Sequence, residues 1–160
     1  MRSTIAALAA LLSLNVFADA YHLDWSREVG PFYIKHYTSN KYFHPKRGGS
    51  HPRDNTDIVI NGGLADYCLF SFIPVADQPG FGAIKHWTSG KFLHPQGGDH
   101  QPRDKTLLEI QGGHSWAALW SINSDSKNIM HIGGKFLHPR RGSVTPNDDT
   151  QVFIYEGTHA

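Results

Sequence analysis

The sequence predicts an all-β domain built from three repeats, and three observations carry the prediction. One phrase occurs three times, as Lys41-Tyr42-Phe43-His44-Pro45, Lys91-Phe92-Leu93-His94-Pro95 and Lys135-Phe136-Leu137-His138-Pro139. Its surroundings recur with it: an earlier histidine (His36, His86, His131), Gly-rich sequence behind it, and then Pro-x-Asp-x-Thr (Pro52-Asp54-Thr56, Pro102-Asp104-Thr106, Pro146-Asp148-Thr150). Short apolar runs alternate with Gly, Pro and polar turn residues, and beyond the first twenty residues nothing has helical periodicity. The spacing of the copies falls in the range that marks a repeat architecture.

The elements follow in order. Arg2, the apolar run Ile5 to Leu14 and the small residues Ala18-Asp19-Ala20 form the pattern of a secretory signal peptide over residues 1–20. The run is too short to span a membrane. The mature chain is therefore expected from Tyr21 as a secreted, extracellular single domain over residues 21–160, without a membrane span. The second copy parses most clearly. Phe81 to His86 is a strand, Thr88-Ser89-Gly90 a turn, and Lys91 to His94 a second strand. Pro95 to Lys105 is a loop. Thr106 to Gln111 alternates as a half-buried strand, Gly112-Gly113 breaks it, and Ala117 to Ile122 is a fourth strand.

Four strands in each of three copies (about 30–75, 80–123 and 127–160) predict roughly twelve strands. Propellers typically need four or more blades, so three four-stranded units point to a β-trefoil with pseudo-threefold symmetry. Phe43, Phe92 and Phe136, with Ile34, Ile84 and Ile129, are expected in the core or in hairpin caps. The third copy reaches Gly157-Thr158-His159-Ala160 where its fourth strand should begin. Leu23-Asp24-Trp25-Ser26 resembles Cys68-Leu69-Phe70-Ser71 and Ala118-Leu119-Trp120-Ser121. Residues 21–28 are therefore expected to supply the last strand of the third unit and to remove an open sheet edge.

Composition narrows function. A net charge of +1 recruits neither nucleic acid nor membrane through a global field. Cys68 is the only cysteine, so no disulfide holds the domain and the core must. Its apolar neighbours Tyr67, Leu69 and Phe70 mark it as a buried small residue rather than a reactive thiol. The carboxylates are scattered, and no motif pairs a nucleophile with a base, so an enzyme is not expected. Six of the 11 histidines belong to the repeats, which hold them apart on separate units, and no metal-ligand spacing is present. Neither a metal nor another cofactor is expected.

The turn after each Lys-x-x-His-Pro is the strongest candidate for function. Histidine is a directional donor and acceptor, proline fixes the chain behind it, and glycine lets a ligand approach the backbone. A shallow, rigid, polar pocket of this kind suits a sugar, and three linked copies gain avidity. The same histidines could instead cap hairpins and satisfy backbone groups, and spacing leaves both roles open.

Ile84-Lys85-His86, Ser89-Gly90-Lys91-Phe92-Leu93-His94-Pro95 and Gly97-Gly98, followed by Pro102 and Thr106, closely resemble the mytilectin family, the β-trefoil lectins of mussels that bind α-galactosides. The resemblance covers nearly all of residues 32 to 160. It implies sites made by the His and first Gly of His-Pro-x-Gly-Gly, with an Asp and a His from a His-x-Asp-x-His stretch after the third strand. His44, His94 and His138 take the first-histidine place, with Pro45, Pro95 and Pro139 behind them. The first glycine is kept as Gly97 and replaced by Arg47 and Arg141; the second persists as Gly48, Gly98 and Gly142. The aspartate place holds Gly63, Gly113 and Gly157, and His159 alone keeps the second histidine.

Loss of the carboxylate from every copy predicts altered sugar specificity. Arg47 and Arg141 add forked donors suited to acidic ligands. Asp66, Asp99, His51, His100 and His114 lie in neighbouring loops, either as replacement contacts or as solvated residues. The expected partners are glycans, galactosides or acidic sugars, on cell or microbial surfaces. The resemblance implies a role in innate defence, and a homodimer is left open. The competing expectation is a protein-interaction trefoil, such as a protease inhibitor, with no sugar site.

Overall fold

The computed structural model describes residues 22–157. Its strands are β1 (Val29–Tyr33), β2 (Tyr42–Pro45), β3 (Thr56–Asn61), β4 (Leu69–Pro74), β5 (Gly82–His86), β6 (Phe92–Pro95), β7 (Thr106–Gln111), β8 (Leu119–Asn123), β9 (Asn128–His131), β10 (Phe136–Pro139) and β11 (Thr150–Tyr155). Short 3-10 turns at Trp25–Arg27, Asp66–Cys68, Trp116–Ala118 and Arg140–Gly142 are the only helical elements among the described residues. The all-β expectation therefore holds. The expected signal peptide, residues 1–20, lies outside the described residues.

The three copies of the repeated phrase form β2, β6 and β10. Each pairs antiparallel with the strand that follows, placing His44 opposite Val59, His94 opposite Glu109 and His138 opposite Phe153. The strands that follow, β3, β7 and β11, pair with one another in a cycle. Thr56 faces Ile110, Thr106 faces Ile154 and Thr150 faces Ile60. The threonine of each Pro-x-Asp-x-Thr thus enters the next repeat at an equivalent register. All eleven strands join one sheet, in which β4 lies between β1 and β5, and β8 between β5 and β9.

Alternation along these strands builds the core. Ile58, Ile60, Leu108, Ile110, Val152 and Ile154 point inward from the central cycle and meet Phe70, Ile84, Leu93 and Trp120. Trp120 is fully buried, and its indole N–H donates to the Leu93 carbonyl at 3.0 Å. Its truncation to alanine would cost about 3–5 kcal/mol. Phe43, Ile34 and Ile84 lie in this core as expected, with Ile129 packed against it. Phe92 falls in a second cluster with Leu23, Ile73, Val75, Ala83 and Leu119. Its register explains this: Leu93, one residue on, is the counterpart of Phe43.

The expected closing strand sits elsewhere. Leu23 bridges Val75, at the end of β4, rather than β9. Asp24 N–H donates to the Pro74 carbonyl at 2.8 Å, and Ala76 N–H to the His22 carbonyl at 3.0 Å. Glu28 anchors the segment by accepting from Ser71 Oγ at 2.5 Å and pairing with Lys85 at 2.6 Å. These contacts, which no repeat comparison would show, hold residues 22–28 against the first and second repeats.

Candidate functional site

Each His-Pro turn is closed by the same bond. His44 Nε2–H donates to the Gly63 carbonyl at 2.8 Å, His94 to Gly113 at 2.5 Å and His138 to Gly157 at 2.9 Å. A carbonyl only accepts, so each imidazole carries its proton on Nε2. The three rings are 4%, 5% and 8% exposed. Burial lowers the pKa of His44 and His94 despite the opposing pull of the glycine carbonyl. The bond ties the turn after β2, β6 or β10 to the Gly-containing loop after the next strand. Gly63, Gly113 and Gly157 are the residues at the family's aspartate place, so the backbone carbonyl there already engages the histidine.

The turns share a backbone and differ in their walls. Gly48 N–H returns to the Pro45 carbonyl at 2.8 Å and Gly98 N–H to Pro95 at 2.9 Å. The position before that glycine is left-handed in every copy, with φ of 70° at Arg47, 81° at Gly97 and 63° at Arg141. This explains a glycine there, and the two arginines keep the same conformation. A Cβ at Gly97, Gly98 or Gly113 would meet nothing within 4 Å, so the second turn opens onto free space. In the first copy the Tyr67 ring packs 3.1 Å from where a Gly48 Cβ would stand, and narrows the opening. Cys68, fully buried, lies 3.1 Å from His44 Nδ1, and burial pushes its thiol up to about 11.

Arg47 and Arg141 are both exposed. Arg141 lines a groove of about 810 Å³ together with Lys46, Arg140, Asp148 and Asp149, so the cationic wall expected for an acidic ligand faces carboxylates. Asp99 accepts from the Gln101 amide, His51 contacts Ser50, and Asp66 lies exposed in its 3-10 turn. Pro45, Pro95 and Pro139 are buried behind the histidines. His159 lies outside the described residues.

The aspartates of Pro-x-Asp-x-Thr have a role that their repetition did not reveal. Asp54 pairs with Lys91 at 2.6 Å, Asp104 with Lys135 at 2.5 Å and Asp148 with Lys41 at 2.7 Å. Each repeat thereby grips the lysine that opens the next repeat's phrase, and the ring closes. Asp148 also accepts from the Gly62 amide and Asp104 from Glu156, each one residue before the glycine that meets the histidine. The hydrogen bond from the lysine holds each carboxylate below its ordinary pKa.

The earlier histidines form a second set. His86 Nε2 donates to Tyr67 O at 2.8 Å and His131 Nε2 to Ala117 O at 3.0 Å, pinning the 3-10 turns before β4 and β8. Sequence reasoning also missed Glu109. It is 1% exposed and accepts from Gln111 through Oε1, while Oε2 has no hydrogen-bond partner. Among the described residues no group of three His, Cys, Asp or Glu could hold a metal. No helix there is long and apolar enough to cross a membrane.

The fold is that of threefold-symmetric all-β proteins. The designed 3-fold symmetric protein ThreeFoil superposes with a TM-score of 0.68 at 14% identity, over 82% of this chain and 93% of its own. The C-half of the earthworm R-type lectin, solved with GalNAc, gives 0.57 at 13% identity, over 81% and 90%. The chain belongs to the MytiLec family, described as alpha-D-galactose-binding lectin, whose family model matches residues 32–160. Among its relatives, a D-galactose-binding lectin of Mytilus trossulus is 40% identical over 47 residues, 29% of this chain and 31% of that protein. A galactose-binding lectin of Mytilus californianus is 36% identical over 50 residues, 31% and 33% of the two chains. The matched segments thus span about a third of the curated relatives' length.

Proposed function

We propose that this protein is a non-enzymatic, multivalent lectin on a β-trefoil scaffold, with one glycan cradle at each His-Pro turn. The observation that carries the reading is the threefold recurrence of the His–Gly bond, at His44–Gly63, His94–Gly113 and His138–Gly157. The cyclic pairing of β3, β7 and β11 supports the trefoil.

In this reading the buried imidazole positions two loops, and the sugar is met between them. Pro45, Pro95 and Pro139 brace the histidines, while Gly48, Gly97 and Gly98 keep the backbone within reach of hydroxyls. The second cradle, open at Gly97, Gly98 and Gly113, has room for a pyranose ring. Galactosides are the first ligand class, as in the named relatives. Arg47 and Arg141 extend the range to acidic sugars, and His159 adds a donor to the third cradle. Three sites on one chain gain avidity without a second protomer. Secretion follows from the signal-peptide pattern of residues 1–20, and recognition of cell-surface or microbial glycans in defence follows from secretion. A glycan array carrying galactosides and acidic sugars tests the proposal; a folded protein that retains none of them would refute it.

A further inference from the structure

A groove of about 600 Å³ runs between β1 and β9, lined by residues that include Ile34, His36, Phe43, Asn128, Ile129 and Leu137. The equivalent space in the other repeats holds a strand. β4 lies between β1 and β5, and β8 between β5 and β9. Those strands bring Phe70 and Trp120 into the core at 0% exposure. They also bring the carbonyls that His86 and His131 engage. Between β9 and β1 no strand lies among the described residues. His36, the third member of that set, is only half-buried there and bonds to Ser39 through Nδ1.

The N-terminal segment matches this space residue by residue. Trp25 precedes His36 by the same interval as Trp120 precedes His131. With no gap between them, Ser26 falls at the place of Ser121, Arg27 at Ile122 and Ile34 at Ile129. Ile122 is 41% exposed, so an arginine suits that place. In β8 and β9, Trp120 faces His131, Ser121 faces Met130 and Ile122 faces Ile129. The same register would set Trp25 opposite His36, Ser26 opposite Lys35 and Arg27 opposite Ile34. Val29-Gly30-Pro31-Phe32 would form the connecting turn, a composition suited to one. In its observed seat the segment leaves Trp25 51% and Val29 61% exposed.

We propose that the groove between β1 and β9 is a strand-acceptor seat, and that Leu23–Arg27 of the same chain exchanges into it from its seat on Val75. The exchange buries Trp25 beside Ile34 and Ile129 and pairs the free edge of β1. It gives up the Leu23–Val75 bridge and the Glu28 contacts. The seat adjoins the third His-Pro turn, since His138, Pro139 and Gly142 line the same groove.

Two cysteine pairs in the full chain, each with Cys68→Ala, test the exchange. Leu23→Cys with Val75→Cys reports the observed seat, and Ser26→Cys with Lys35→Cys reports the second. The expected result under mild oxidation is an intramolecular disulfide in both proteins. The Ser26–Lys35 lock should also slow amide exchange in β9 about tenfold or more. If the first pair cross-links while the second stays reduced, the segment has one seat and the proposal fails. A disulfide between two molecules in the second variant would also overturn it, making the occupant a second copy.

Discussion

His94 Nε2 and the carbonyl oxygen of Gly113 lie 2.5 Å apart, and the bond between them fastens the His-Pro turn to the loop after β7. Replacing His94 with alanine removes the donor and the buried ring together. The expected cost is about 1–3 kcal/mol. Glutamine, which keeps an N–H donor, should recover part of it. Thermal or urea unfolding of both variants measures this, and an alanine variant as stable as the parent would show that the bond clamps nothing.

Acid should weaken the fold in two steps. Burial lowers the folded-state pKa of His36, His44, His86, His94 and His131 below the ordinary histidine value. The unfolded chain therefore binds more protons as pH falls through about 6.5, and stability drops there. Above that pH both states are neutral and this contribution is complete. Asp54, Asp104 and Asp148 are also lowered, so their contribution is present above an ordinary carboxylate pKa and is lost only below about pH 4. The melting temperature should be level above pH 7 and fall from about pH 6.5 downward. A rise between pH 7 and pH 5 would contradict the assignment of neutral buried imidazoles.

The ring of three ion pairs joins successive repeats, yet its aspartates are half exposed or more. Asp54→Asn should lower the melting temperature modestly at low salt, and the loss should shrink near 1 M salt as screening replaces the pair. Lys91→Met should do the same, and the double variant should fall short of the sum. Full additivity would show that the two residues act independently.

Glu109 occupies the position that Val59 and Phe153 hold in the other repeats, buried with an oxygen lacking a partner. Glu109→Val should stabilise the protein by about 1–3 kcal/mol by removing a poorly satisfied polar group. Chemical denaturation of the variant measures this. Destabilisation would mean that the carboxylate has a structural task in the second repeat.

Much of the fold was legible because the repeat states its own periodicity. The alternation in Thr106 to Gln111 marked β7, and the glycine pairs marked where strands stop. The cycle Thr56–Ile110, Thr106–Ile154 and Thr150–Ile60 was not legible, since pairing between repeats depends on register that local pattern does not set. The seat of Leu23 on Val75 was hidden for a related reason: Glu28, Ser71 and Lys85 hold it, and none belongs to a repeated motif. At the site, the His-Pro phrase was visible and its partner was not. That partner is a backbone carbonyl, at Gly63, Gly113 or Gly157, and a carbonyl leaves no mark in a sequence. Asp54, Asp104 and Asp148 were visible as repeated residues, but their lysine partners emerge only when the repeats meet around the axis.

Glycan binding by the intact protein tests the central claim most directly. Calorimetric titration with galactosides and with an acidic sugar should show saturable binding. Joint replacement of His44, His94 and His138 by alanine should abolish it while circular dichroism still reports a β fold. Undiminished binding by that folded triple variant would place the ligand away from the His-Pro turns and contradict the account.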